Sequence, residues 1–203
     1  MEKDKLPDII DITAAIGFLS FLLLFSGCIS LPRIIILNDP LTTEEHISLG
    51  VSYESEGKLD LALSEYKEAL RKEPDYAIAL IYIGNVYYQK GDYEKAKWFY
   101  KDALKREPDN GGLYNNLSWV YISQNKDMDE AERLIKKAID VDPNNRVYYL
   151  DTLASIYIKT GRFNKALERL QEAGLLVKDD NEELKRSIED NIKEIYKKTG
   201  ESY

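Results

Sequence analysis

Between Thr43 and Lys178 the chain repeats one pattern of large, small and polar positions four times. Leu49-Gly50 with Tyr53 returns as Ile83-Gly84 with Tyr87 and as Leu117-Ser118 with Tyr121, each step being 34 residues. A fourth copy, Leu153-Ala154 with Tyr157, follows after 36. A second motif trails each of these: Ala62, Tyr66 and Ala69, then Ala96, Tyr100 and Ala103, then Ala131, Ile135 and Ala138, then Ala166, Leu170 and Ala173. Spacings of three and four put such residues on one face of a helix. Each unit therefore reads as two helices. Gly57, Gly91 and Gly161 supply the turn between them, where a left-handed backbone costs glycine little. Pro74, Pro108 and Pro143 end the second helix of the first three units. Thr42-x-x-Glu45 has the form of a capping box opening the first helix.

Packing explains the residue types. Gly50, Gly84, Ser118 and Ala154 are small where the first helix of a pair must approach the second, and Ala62, Ala96, Ala131 and Ala166 do the same from the other side. Tyr53, Tyr87, Tyr121 and Tyr157 fill the space between adjacent pairs. This set of residues resembles the tetratricopeptide repeat. The resemblance covers residues 43–180 and implies an all-α fold, a right-handed superhelix (α-solenoid) of four helix-turn-helix repeats at 43–76, 77–110, 111–146 and 147–180. Local departures are the third unit's "SQNKDMDEA" in place of a glycine turn, one extra residue near Asn145 and Arg146, and Lys178 where a closing proline is usual. Residues 181–198 place Leu184, Ile188, Ile192 and Ile195 on one face and charge on the other, as a C-terminal capping helix requires.

The resemblance also implies a binding surface, the concave face lined by the first helix of each pair. The candidate peptide-binding residues on it are Asn85, Tyr88, Asn115, Asn116, Trp119 and Tyr148. Asn85 and Asn116 match positions where the family uses amides to hold a peptide backbone, an amide being able to donate and accept at once. Tyr88, Trp119 and Tyr148 add aromatic surface of the kind that anchors interfaces. The family's clamp for acidic C-termini needs bases, and Ile81, Tyr148 and Thr152 stand at the matching places. The groove is therefore expected to favour an extended or helical peptide with hydrophobic side chains.

A net charge of −8 argues against nucleic acid as a partner. Lys and Arg are scattered among acids at helical spacings, which reads as a solvated outer face. One Cys excludes a disulfide framework and a multi-thiolate metal site. With that Cys assigned to the leader and the one His to packing, no Cys–His or Ser–His–Asp set is expected. His46 falls at a packing position. No metal site, no cofactor and no enzymatic activity are expected.

Ahead of the repeats, Ile12–Leu31 carries no charge, long enough to cross about 30 Å of hydrocarbon. Ser26-Gly27-Cys28 at its end resembles the lipobox of bacterial lipoprotein signal peptides, although Phe25 stands where leucine is usual and the leader is acidic. Residues 1–28 read as a signal peptide with lipidation at Cys28, as an uncleaved membrane anchor, or as an apolar segment with an inert thiol. Residues 29–42 form a tether. The first two readings place the repeats on the exported side of a membrane, in the cell envelope, bound through an N-terminal lipid or a transmembrane segment. The expected function is a membrane-anchored scaffold or adaptor that binds protein or peptide partners in its groove. The alternative is a structural assembly factor for an envelope complex, acting through its convex face or tether. The stretch from Asn38 to Tyr66 is similar to the repeat portion attached to bacteriocin-processing peptidases, which implies at most a companion peptidase encoded separately.

Overall fold

A computed structural model describes residues 39–178 and 181–200. The expected leader 1–28 with Cys28, and the tether up to residue 38, lie outside the described residues. Nine α-helices and no strand occur among the described residues, all in the unit that begins at Leu41. They are α1 (Thr43–Ser55), α2 (Leu59–Lys72), α3 (Ala77–Gln89), α4 (Tyr93–Arg106), α5 (Gly111–Gln124), α6 (Met128–Val141), α7 (Arg146–Lys159), α8 (Phe163–Leu176) and α9 (Glu182–Thr199). A short 3-10 turn, Pro143–Asn145, precedes α7 and takes up the extra residue of that junction.

Short turns force α1 and α2, α3 and α4, α5 and α6, and α7 and α8 into paired packing, and each pair stacks on the next through α2–α3, α4–α5 and α6–α7 contacts. The entry to the stack is the capping box: Thr42 Oγ1 accepts from the Glu45 amide at 3.2 Å while the Glu45 carboxylate accepts from the Thr42 amide at 2.7 Å. Gly57, Gly91 and Gly161 hold φ of 73°, 76° and 71° in the turns. The third unit makes the same reversal with Asn125 (φ 50°) and Asp127 (φ 45°), short polar side chains that tolerate the left-handed region better than most.

Close approach inside the first two pairs depends on glycine. A Cβ on Gly50 would stand 2.3 Å from Tyr66 Cε1, and one on Gly84 would stand 2.5 Å from Tyr100 Cε1. The third and fourth pairs solve the contact with a smaller second-helix residue. Ser118 faces α6, where its hydroxyl donates to the Ala131 carbonyl at 3.0 Å and Ile135 is buried, and Ala154 packs in one core with Leu170. His46 is buried, with Nδ1 2.8 Å from Glu65 Oε2.

Polar ties repeat with the fold. Lys90 donates to Asp60, Gln124 to Glu94 and Arg162 to Glu132, each pair 30 residues apart and linking one unit to the next. At the C-terminal end α9 packs on α8 and α7, with Leu184, Ile188 and Ile195 buried and Ile192 beside them. Asn181 caps α9 by accepting from the Leu184 amide at 3.1 Å.

Candidate functional site

The first helices of the second and third units, α3 and α5, carry no ionisable charge. Between them and α1 lies a cavity of about 220 Å³ lined by Glu54, Asn85, Tyr88, Gln89, Tyr100, Asn116 and Trp119. Four of the six candidate residues, Asn85, Tyr88, Asn116 and Trp119, meet here.

The wall is built from the second helices as well. Tyr100 is almost fully buried on α4, yet its ring passes over Gly84 and its hydroxyl donates to Asn85 Oδ1 at 2.8 Å. Asn116 Nδ2 donates to the same oxygen at 3.4 Å. Tyr66 passes over Gly50 in the same way, donating to Glu54 Oε2 at 2.8 Å and stacking on Tyr82 at 4.9 Å. The other Glu54 oxygen accepts from Gln89 Nε2. Burial pushes both tyrosine hydroxyls well above their ordinary pKa, with the Glu54 carboxylate adding to the effect on each, so both keep their protons and stay donors. Tyr88 is oriented by a 2.6 Å hydrogen bond to Ser123 Oγ and an edge contact with Tyr93.

These bonds leave the amides in complementary states. The Asn85 carbonyl is engaged twice, while its NH2 has no protein partner among the described residues. Asn116 spends one N–H and keeps its carbonyl available. N–H donors of both amides and the Asn116 carbonyl therefore remain for a ligand, the kinds of group that pair with a peptide's C=O and N–H.

The other two candidates lie elsewhere. Asn115 does not line this cavity, and its Oδ1 is buried with no partner among the described residues. Tyr148 lines a separate cavity of about 420 Å³ with Asn145, Val177 and Asn181, and its hydroxyl accepts from Asn181 Nδ2 at 2.9 Å. Its neighbour Asp151 accepts from Ser187 Oγ at 2.9 Å and Asn191 Nδ2 at 2.8 Å, so α9 occupies this part of the fourth unit's first-helix surface. Tyr100, Tyr66, Glu54 and Gln89 are the site residues outside the candidate set. A sequence signal for the tyrosines exists: they stand where the third and fourth copies have Ile135 and Leu170.

Among the described residues no group of three or more His, Cys, Asp or Glu side chains could hold a metal ion, and no helix is long and apolar enough to cross a membrane. Stacked helix pairs presenting an amide and aromatic surface have the architecture of a protein-binding scaffold. Tetratricopeptide repeat models match residues 47–101, 90–150 and 124–188, and the chain belongs to the tetratricopeptide-repeat family. A thermophilic tetratricopeptide protein of Thermus thermophilus superimposes with a TM-score of 0.65 at 25% identity, over 78% of this chain and 84% of that one. BtubC of P. vanneervenii does so at 0.59 and 22% identity, over 65% and 61% of the two chains. A double mutant of MamA RS-1 matches at 0.57 and 19%, over 71% and 76%. The last two show likeness of fold alone. No curated protein sequence matches the chain.

Proposed function

We propose that this chain is an adaptor that holds an extended segment of a partner protein in the concave groove of its first three repeats. The carrying observation is the Asn85–Asn116 pair, which keeps unspent N–H donors and an acceptor carbonyl beside Tyr88 and Trp119 on helices free of charge. Amides of this kind bind backbone and tolerate sequence, while the aromatic rings supply the buried area that makes an interface tight. The uncharged run Ile12–Leu31 ending in Gly27-Cys28 and the lipid-attachment resemblance support a working place at the cell envelope, with Cys28 as the anchor point. A crosslinking pull-down from detergent-solubilised membranes tests the groove. A partner captured by the wild type and lost with Asn85→Ala/Trp119→Ala supports it; equal capture by both refutes it. Metabolic labelling with palmitate tests the anchor: label in the wild type that Cys28→Ser abolishes is expected, and an unlabelled wild type retained in membranes assigns the segment to an uncleaved span.

A second reading has its own observation. Trp98 on α4 is 60% exposed, packed edge-on against Phe99. A tryptophan exposed on a second helix is the kind of anchor that an assembly contact through the convex face would use. Loss of the captured partner with Trp98→Ala alone would move the function there.

A further inference from the structure

The groove carries a charge in addition to its amides. Helices α1, α3 and α5 contain no lysine or arginine, and their ionisable side chains are Glu44, Glu45, His46 and Glu54, plus tyrosines. His46 is buried against Glu65, and Glu45 closes the capping box. Glu54 is different: it stands in the wall of the 220 Å³ cavity itself.

Many acids elsewhere in the stack are neutralised by a base. Glu132 lies 2.6 Å from Arg162, Glu172 2.5 Å from Arg146, and Asp102 3.0 Å from Arg106. Glu54 instead accepts one hydrogen bond on each oxygen from neutral donors, Tyr66 and Gln89, and no lysine or arginine among the described residues pairs with it. Neutral donors fix a carboxylate in place and leave its charge uncompensated. Each oxygen also retains a second lone pair. Around it stand the rings of Tyr88, Tyr100 and Trp119. Aromatic faces attract a cation, and tryptophan does so best. The cavity is smaller than the roughly 300–1,000 Å³ of sites for drug-sized ligands, and suits one long side chain. A lysine or arginine stem can lie along such rings while its head reaches the carboxylate.

We propose that this cavity is a specificity pocket for a cationic side chain, lysine or arginine, of the partner's extended segment. The inference rests on the groove reading above and adds the chemistry of its central contact. Glu54 compensates the charge, Trp119 and Tyr88 cover the stem, and the two amides hold the peptide group alongside.

The probe is a phage-displayed library of random dodecapeptides, panned on the full-length protein in mild detergent. Synthetic copies of selected peptides are then titrated against a Trp98→Phe background, in which Trp119 is the sole tryptophan and reports occupancy by fluorescence. The wild type should enrich a basic residue at one fixed position. Replacing that base by norleucine should weaken binding about tenfold or more. Glu54→Gln, which removes the charge but keeps the shape and one of the two acceptor oxygens, should weaken the basic peptide by a similar factor and leave the norleucine peptide unchanged. Peptides that need Asn85 and Trp119 but show no fixed base, or bind equally well as norleucine variants, overturn the cationic pocket and leave the groove standing. A pool that binds Asn85→Ala/Trp119→Ala as well as wild type, or no pool at all, overturns both. The norleucine comparison on wild type is decisive even if Glu54→Gln fails to fold.

Discussion

Gly84→Ala is expected to cost stability even though alanine is the better helix former. The new Cβ would meet Tyr100 Cε1 at 2.5 Å and Cδ1 at 2.7 Å, against about 3.4 Å for ordinary contact. The ring is 2% exposed and its hydroxyl is tied to Asn85, so it has no free direction in which to yield. Overpacking of this kind costs about 1–3 kcal/mol, and an enclosed ring belongs at the upper end. Replacing glycine inside a helix returns about 1 kcal/mol. The net is a loss of about 2 kcal/mol, or about 1 M in urea midpoint for a slope near 2 kcal/mol/M. Urea unfolding of the full chain followed by far-ultraviolet circular dichroism measures it. The molecule contains its own control, since the fourth unit buries Ala154 and Leu170 in one core. Gly84→Ala/Tyr100→Leu should therefore recover most of the stability while losing the hydroxyl that anchors Asn85. A single Gly84→Ala variant as stable as the wild type, or stabilised by its helix propensity, would refute the claim that Tyr100 is wedged against that glycine.

Three further outcomes follow from particular contacts. Burial raises the Asp151 carboxyl above its ordinary value, opposed by its bonds to Ser187 and Asn191. The folded state thus holds the proton more tightly, so this group's contribution falls as pH rises from the ordinary aspartate range through the raised value. Asp151→Asn should shift thermal melts more favourably, relative to wild type, at pH 7 than at pH 4; a loss larger at pH 7 than at pH 4 contradicts this. Glu132 shows the opposite sign: burial opposes ionisation, but bonds from Lys136, Arg162 and Tyr157 outweigh it and hold the carboxyl low. Glu132→Gln should cost about 1.5–3 kcal/mol at pH 7, a difference that shrinks as pH falls through the depressed value and is absent below it. Thr42→Ala removes the cap of α1 and should cost about 1 kcal/mol, with faster amide exchange confined to the first turn; exchange that rises equally across α2 would show that the cap supports more than its own helix.

The helices and their pairing were legible because their causes are local and recur. A 34-residue period, small residues facing small residues, glycine in the turns and proline at the ends act over one unit. Four copies of that signal outweigh the departures at Asn125 and Asn145. The site was legible only as a face. Asn85, Asn116, Trp119 and Tyr148 all fall on first helices, and periodicity says which side of a helix a residue occupies, not what meets it there.

Contact decided the rest. Tyr100, read from the repeat as a packing residue, reaches the groove with its hydroxyl because Gly84 lets the ring through, and it determines which end of the Asn85 amide is left for a ligand. Asn181, Ser187 and Asn191 lie 33, 36 and 40 residues beyond Tyr148 and Asp151, and their bonds place α9 over that part of the fourth unit. By itself the sequence determined the fold and the surface to inspect, since helix formation and close packing depend on residue size and spacing along the chain. Which polar atoms on that surface are already spent, and which remain for a partner, is settled only when distant helices come within hydrogen-bonding distance.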